Sequence, residues 1–113
     1  MSFDKMEEFI ETIFSIFKMA NKQAAASSND KLKYISMIIY NYVCKMAKDN
    51  KIDIKTLHDK ESSINMQPFF DYIEYNNIEL YNFKIIEMSD VDINSSKDIE
   101  RFVLSHIYYI TQK

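Results

Sequence analysis

The 113-residue chain contains no glycine. Tight hairpins, G1 bulges, phosphate-cradling loops and left-handed helix caps all favour that residue, so its absence argues against an all-β domain and against a nucleotide-binding α/β domain. Cysteine occurs once, as Cys44. An intramolecular disulfide is thereby excluded, and the place of Cys44 inside an apolar segment points to a buried thiol in a reducing compartment. Arginine also occurs once, as Arg101, and no basic stripe is interleaved with aromatics, which disfavours a nucleic-acid partner. Uninterrupted apolar runs, none longer than Met37 to Tyr40, fall far short of the roughly 20 residues a membrane-spanning helix needs. The acidic start of the chain, with Glu7, Glu8 and Glu11, is unlike a secretory signal. The expectation is a cytoplasmic protein, or one inside a host cell, with no membrane partner.

Apolar residues are plentiful and their spacing is helical. Met6, Ile10, Ile13, Phe17, Ala20 and Ala24 step by three and four, while Asp4, Glu8, Glu11, Ser15, Lys18 and Lys22 do so on the opposite side. The spacing predicts an amphipathic helix from Phe3 to about Ala25, with Ser2 or Asp4 able to cap it. Residues 24–30 read as a short connection whose Ser/Asn/Asp end caps the next helix, so the two should fold back as an antiparallel pair. The second helix, about 31–48, is apolar nearly all round its wheel: Leu32, Ile35, Ile39, Val43 and Met46 form one stripe, and Met37, Tyr40 and Cys44 another. Such a helix must be covered on several sides. It is therefore expected at the centre of the fold, with Tyr34, Met37 and Tyr40 at a subunit or partner interface if the rest of the chain cannot cover it.

Beyond Asp49 the pattern shortens. Residues 52–57 suit either a short strand or one to two helical turns capped by Asp53, and residues 58–63 read as a loop. Asn65 and Pro68 mark the start of a short helix carrying Met66, Phe69, Phe70 and Ile73, and Asn76-Asn77 is a natural stop. In 78–93, Ile78, Tyr81, Ile85 and Met88 fit a helix over 78–88, whereas Phe83/Ile85 and Val91/Ile93 alternate as in an extended segment. Ser95 and Asp98 match a capping box ahead of a last amphipathic helix through Ile99, Phe102, Val103, His106, Ile107 and Ile110. The fold class expected is mainly α, one helical domain over 1–113 with four to five helices and a short extended segment within 78–93.

Few residues nominate a chemistry. The series Asp90, Asp92, Asn94, Asp98 has the oxygen spacing of a calcium loop, but Ser95, Lys97 and Arg101 stand where that loop needs a glycine, an apolar residue and a bidentate glutamate. His58 and His106 lack Cys or His at ligand spacing. Neither a metal nor a cofactor is expected. One stretch, Arg101-Phe102-Val103-Leu104-Ser105-His106-Ile107-Tyr108, resembles the Arg-x4-His-x-Tyr signature of HEPN-type RNases, with Phe102 where that signature commonly has a polar residue. The resemblance implies a helical homodimer in which Arg101 neutralises the scissile phosphate, His106 transfers a proton, and Tyr108 is modified by a cognate antitoxin. Read without it, His106 is a half-buried residue of an amphipathic helix.

Charge supplies a second, preferred reading. Residues 31–60 hold seven lysines against three aspartates, whereas 71–100 hold eight carboxylates against two lysines. Glu79, Glu87, Asp90 and Asp92 would steer a partner with a basic face. With catalytic motifs absent and aromatics abundant, the expectation is a small non-enzymatic protein-binding domain. An inhibitor or modulator of the immunity, antitoxin-like, or phage or viral host-interaction type fits best. The richness in Ile, Lys and Asn suggests AT-rich coding, as in a low-GC bacterium, its phages or plasmids, or a large DNA virus.

Overall fold

A computed structural model describes residues 5–60 and 64–112. Five α-helices run in order: α1 Met6–Ser27, α2 Asp30–Asp49, α3 Ile54–Asp59, α4 Gln67–Tyr75 and α5 Ser96–Thr111. The described residues form no strand. The mainly helical class read from the apolar spacing is therefore the observed one. The caps expected at Ser2 or Asp4 lie outside the described residues.

Local chemistry accounts for most helix boundaries. Ser28 takes a left-handed conformation (φ 53°) that ends α1, and the Asn29 side chain accepts a 3.1 Å hydrogen bond from the Leu32 N–H to start α2. With two residues between them, α1 and α2 fold back on each other and make the largest helix interface. Asp53 caps α3, accepting from Lys55 N–H at 2.9 Å, which decides the strand-or-helix ambiguity of 52–57 for helix. Asn65 accepts from Gln67 N–H at 3.1 Å and Pro68 sits in the first turn of α4. At α5 the Ser95 hydroxyl accepts from Asp98 N–H, as a capping box requires. The Asp98 carboxylate reaches further back than expected, to the Asp92 N–H at 3.0 Å.

The burial is not distributed as the wheel of α2 suggests. Residues Thr12 to Ile16 of α1 and Phe102 to Ile107 of α5 are buried without interruption. A buried run longer than one turn means that a helix is covered on every side, so α1 and α5 are the enclosed elements. By contrast α2 buries one stripe, Ile35, Ser36, Ile39, Val43 and Ala47, and leaves Tyr34 49 % and Met37 52 % exposed. The central-helix expectation for 31–48 is corrected accordingly. Tyrosine hydroxyls and a methionine tolerate partial exposure, so apolar residues round a wheel do not by themselves force enclosure. One hydrophobic cluster joins the elements, with Phe9, Ile13, Phe14, Ile39, Phe69 and Leu104 among its fully buried members.

The helix expected over 78–88 does not form. Asn77 is left-handed (φ 52°), and Ile78 N–H returns to the Ile73 carbonyl at 3.0 Å, so α4 ends where the Asn pair predicts. From there Ile78, Leu80 and Ile86 are the anchors buried in the core, a set that no single helical face provides. Between them Tyr81, Asn82 and Phe83 make a left-handed 3₁₀ turn (φ 49°, 59° and 64°). Lys84 and Glu87 are extended, and a second 3₁₀ turn covers Met88–Asp90. The extended backbone expected within 78–93 is thus present, held to α5 by an Ile86 N–H bond to the Ser105 hydroxyl at 3.3 Å rather than by strand pairing.

Candidate functional site

The connection from α4 to α5 carries the acidic residues singled out in the sequence. Glu79, Glu87, Asp90 and Asp92 are all exposed. The left-handed turn on the same connection holds Tyr81 55 % and Phe83 51 % exposed. Phe83 stacks on Tyr108 of α5 with ring centroids 4.4 Å apart, and Phe70 of α4 meets the same ring edge-on at 6.1 Å. Three elements therefore build an aromatic cluster at the surface, beside a connection rich in carboxylates. Phe70 and Phe83 were assigned no surface role from the sequence, because a helical reading of 78–88 hides the turn that presents Phe83.

Arg101 belongs to this side. Its guanidinium lies over the Tyr81 ring at 5.7 Å, and Nη1 is 3.9 Å from the Asp98 carboxylate. With Tyr81, Ile86, Asp90, Val91 and Asp98 it lines a small depression. His106 lies elsewhere, lining a larger depression with residues of α1 and α2. The five-residue step puts the two side chains about 140° apart around α5, at ~100° per residue. One chain therefore does not bring Arg101 and His106 together. Tyr108 is engaged by Phe83 and Phe70.

The His106 ring is buried, with 5 % of its surface exposed, rather than half-buried as an outer helix position suggests. Its Nδ1 lies 2.8 Å from the Phe102 carbonyl oxygen. A carbonyl only accepts, so Nδ1 carries the proton and Nε2 is the basic atom of the neutral ring. Burial is the main cause that pulls its pKa below the ordinary histidine value; Lys31 acts in the same direction, while the Phe102 bond and Glu87 oppose it.

The other nominated residues sit on α2. Tyr34 and Met37 face outward, whereas Tyr40 is half-buried against Phe17 (4.9 Å) and His58 (6.4 Å). His58 in turn sets its ring edge-on to Phe14 at 4.8 Å, so it acts as one member of an aromatic group. Cys44 is half-buried, and a side-chain hydrogen bond with it is the leading cause raising the Tyr40 hydroxyl pKa. That placement corrects the expectation of a buried thiol, since α2 buries one stripe only and Cys44 lies beside it. Two members of the Asp90–Asp98 series bond backbone: Asp92 accepts from Asn94 N–H at 2.9 Å and Asp98 from Asp92 N–H. Among the described residues no group of three or more His, Cys, Asp or Glu is arranged to hold a metal ion.

A part-buried polar node escaped the sequence reading altogether. The hydroxyls of Tyr42 (3.1 Å) and Tyr72 (2.7 Å) both donate to one carboxylate oxygen of Glu100, joining α2, α4 and α5. Burial, then the neighbouring carboxylate, pushes both phenol pKa values upward, so both stay protonated donors. No spacing in the sequence links positions 42, 72 and 100. Tyr72 also stacks on Phe9 at 3.8 Å, which packs the node against the enclosed part of α1.

Comparison with protein-family models, with curated proteins and with solved structures gives no match to this chain.

Proposed function

We propose that this chain is a small non-enzymatic protein-binding domain, an inhibitor or modulator of the immunity, antitoxin-like or viral host-interaction type. It would act in the cytoplasm or inside a host cell, on a partner with a basic face. The observation that carries the reading is the surface between α4 and α5, where a strained turn holds Tyr81 and Phe83 outward beside Glu79, Glu87, Asp90 and Asp92. Each left-handed non-glycine residue costs about 1–2 kcal/mol, and three in succession are tolerated only where the surroundings impose them. Exposed rings contribute contact area at low entropy cost, and surrounding carboxylates set charge complementarity and the rate of encounter. Among the described residues no helix is long and apolar enough to cross a membrane.

The test is capture from native or host lysate by immobilised protein at low salt. Wild type is compared with the triple variant Glu79→Lys/Glu87→Lys/Asp92→Lys and with Phe83→Ala. The expected result is a basic partner retained by wild type and lost from both variants. Retention of the same partner by both variants would remove the reading. Light scattering on the purified protein separates the other occupant of this surface, a second copy of the chain.

A further inference from the structure

We propose that the depression between α1, the start of α2 and the end of α5 binds a small aliphatic carboxylic acid. Its chain would lie against Met19, Leu32, Ile35 and Ile85, and its carboxyl group between His106 and Lys31. The depression has a volume of about 570 Å³ and is lined by Met19, Gln23, Lys31, Leu32, Ile35, Ile85 and His106 among others. That size falls within the roughly 300–1,000 Å³ of small-molecule sites, which are mostly apolar with a few placed polar groups. This inference does not rest on the proposed partner surface, although Glu87 of that surface also acts on His106.

The imidazole decides the chemical class of the ligand. Nδ1–H is committed to the Phe102 carbonyl, and Nε2 makes no protein hydrogen bond among the described residues, although the side chain is more than nine-tenths buried. Nε2 opens onto the depression rather than being sealed in the core, and a proton donor that enters there can pair with it. The charged and titratable groups around the ring narrow the donor further. The start of α2 offers Lys31, the connection offers Glu87, α5 itself offers Tyr109, and α1 offers the uncharged Gln23. Lys31 calls for negative charge, whereas Nε2 calls for a proton. A carboxylic acid supplies both: its proton passes to Nε2, and the carboxylate left behind pairs with the imidazolium and with Lys31. Glu87 favours the imidazolium that forms. In water near pH 7.5 such a ligand is ionised, so the complex takes up one proton from solvent, and affinity rises as pH falls toward 6.

Calorimetric titration with decanoate, in two buffers of different ionisation enthalpy, tests this on the whole chain. The expected result is saturable binding with uptake of about one proton, and binding at pH 6.5 tighter than at pH 8. Decanol, which has the chain without the charge, should bind about tenfold more weakly than decanoate. Lys31→Glu, an exposed change that spares the core, should weaken decanoate about fivefold. His106→Gln should abolish the proton uptake. Absence of saturable decanoate binding to wild type would overturn the proposal. Equal binding of decanol, or proton uptake unchanged in a folded His106→Gln, would overturn it as well.

Discussion

At the scale of the residue, His106 and Glu100 show two ways in which this core holds polar groups. His106 is kept neutral by burial, so its proton affinity is lower in the folded than in the unfolded chain, where the ordinary value of 6.5 applies. The unfolded state therefore binds more protons in the window just below 6.5. Stability contributed by the neutral ring is complete above that value and is lost as pH falls through the lower folded one. Urea denaturation between pH 7.5 and 5 should show this decline, and His106→Gln should flatten it; an unchanged slope in the variant would refute the assignment. Glu100 instead keeps its charge company with two phenols. Hydrogen bonds to a charged group contribute about 1.5–3 kcal/mol, so Tyr72→Phe should cost about 2 kcal/mol in urea while retaining the stack on Phe9. A loss below about 0.5 kcal/mol would mean that the node contributes little. The Glu100 node is not readable from sequence because it joins residues far apart in the chain, and the His106–Phe102 bond is local but the burial of the ring depends on α1 and α2.

At the scale of the element, the missing glycine acquires a different meaning. Its absence does argue against folds built on glycine turns, and the described chain is helical. Yet the left-handed region is still visited, by Ser28, Lys51, Asn77 and the Tyr81–Phe83 turn. The chain meets those geometric needs with residues that carry a Cβ, at about 1–2 kcal/mol each. Ser28 is exposed at the end of α1, so Ser28→Gly should stabilise the protein by about 0.5–1 kcal/mol after allowing for the looser unfolded chain. A rise of a few degrees in the melting temperature checks it; a fall would show that the cap geometry is unstrained. Periodicity alone made α1 legible, and α2, α4 and α5 were legible because caps and periodicity agree there, as at Asn29, Asn65 and Ser95. The segment 78–93 was not. Its apolar residues satisfy two periods equally well, and the deciding factor is which of them, Ile78, Leu80 and Ile86, find room in the core.

At the scale of the whole molecule, charge is separated between a lysine-rich stretch at 31–60 and a carboxylate-rich one at 71–100. A partner drawn by the acidic side is steered through a field that salt screens within about 10 Å at 0.1 M. The association rate of the captured complex should therefore fall about tenfold between low and roughly 0.5 M salt, with a much smaller change in the dissociation rate. A rate independent of salt would leave the aromatic cluster as the sole basis of recognition.

The sequence by itself determined the helical class, the α1–α2 hairpin, the caps at the starts of α2 and α5, and the acidic character of the second half. Each depends on neighbours within a few residues or on composition. Tertiary structure decided which helices are enclosed, placing α1 and α5 inside and leaving Tyr34 and Met37 of α2 at the surface. It also turned 78–93 away from a helix, buried the His106 ring, and brought Tyr42, Tyr72 and Glu100 together. The physical reason is common to all four. Where periodicity permits several faces, packing against elements distant in sequence selects which face is buried, and local preference carries no information about that selection.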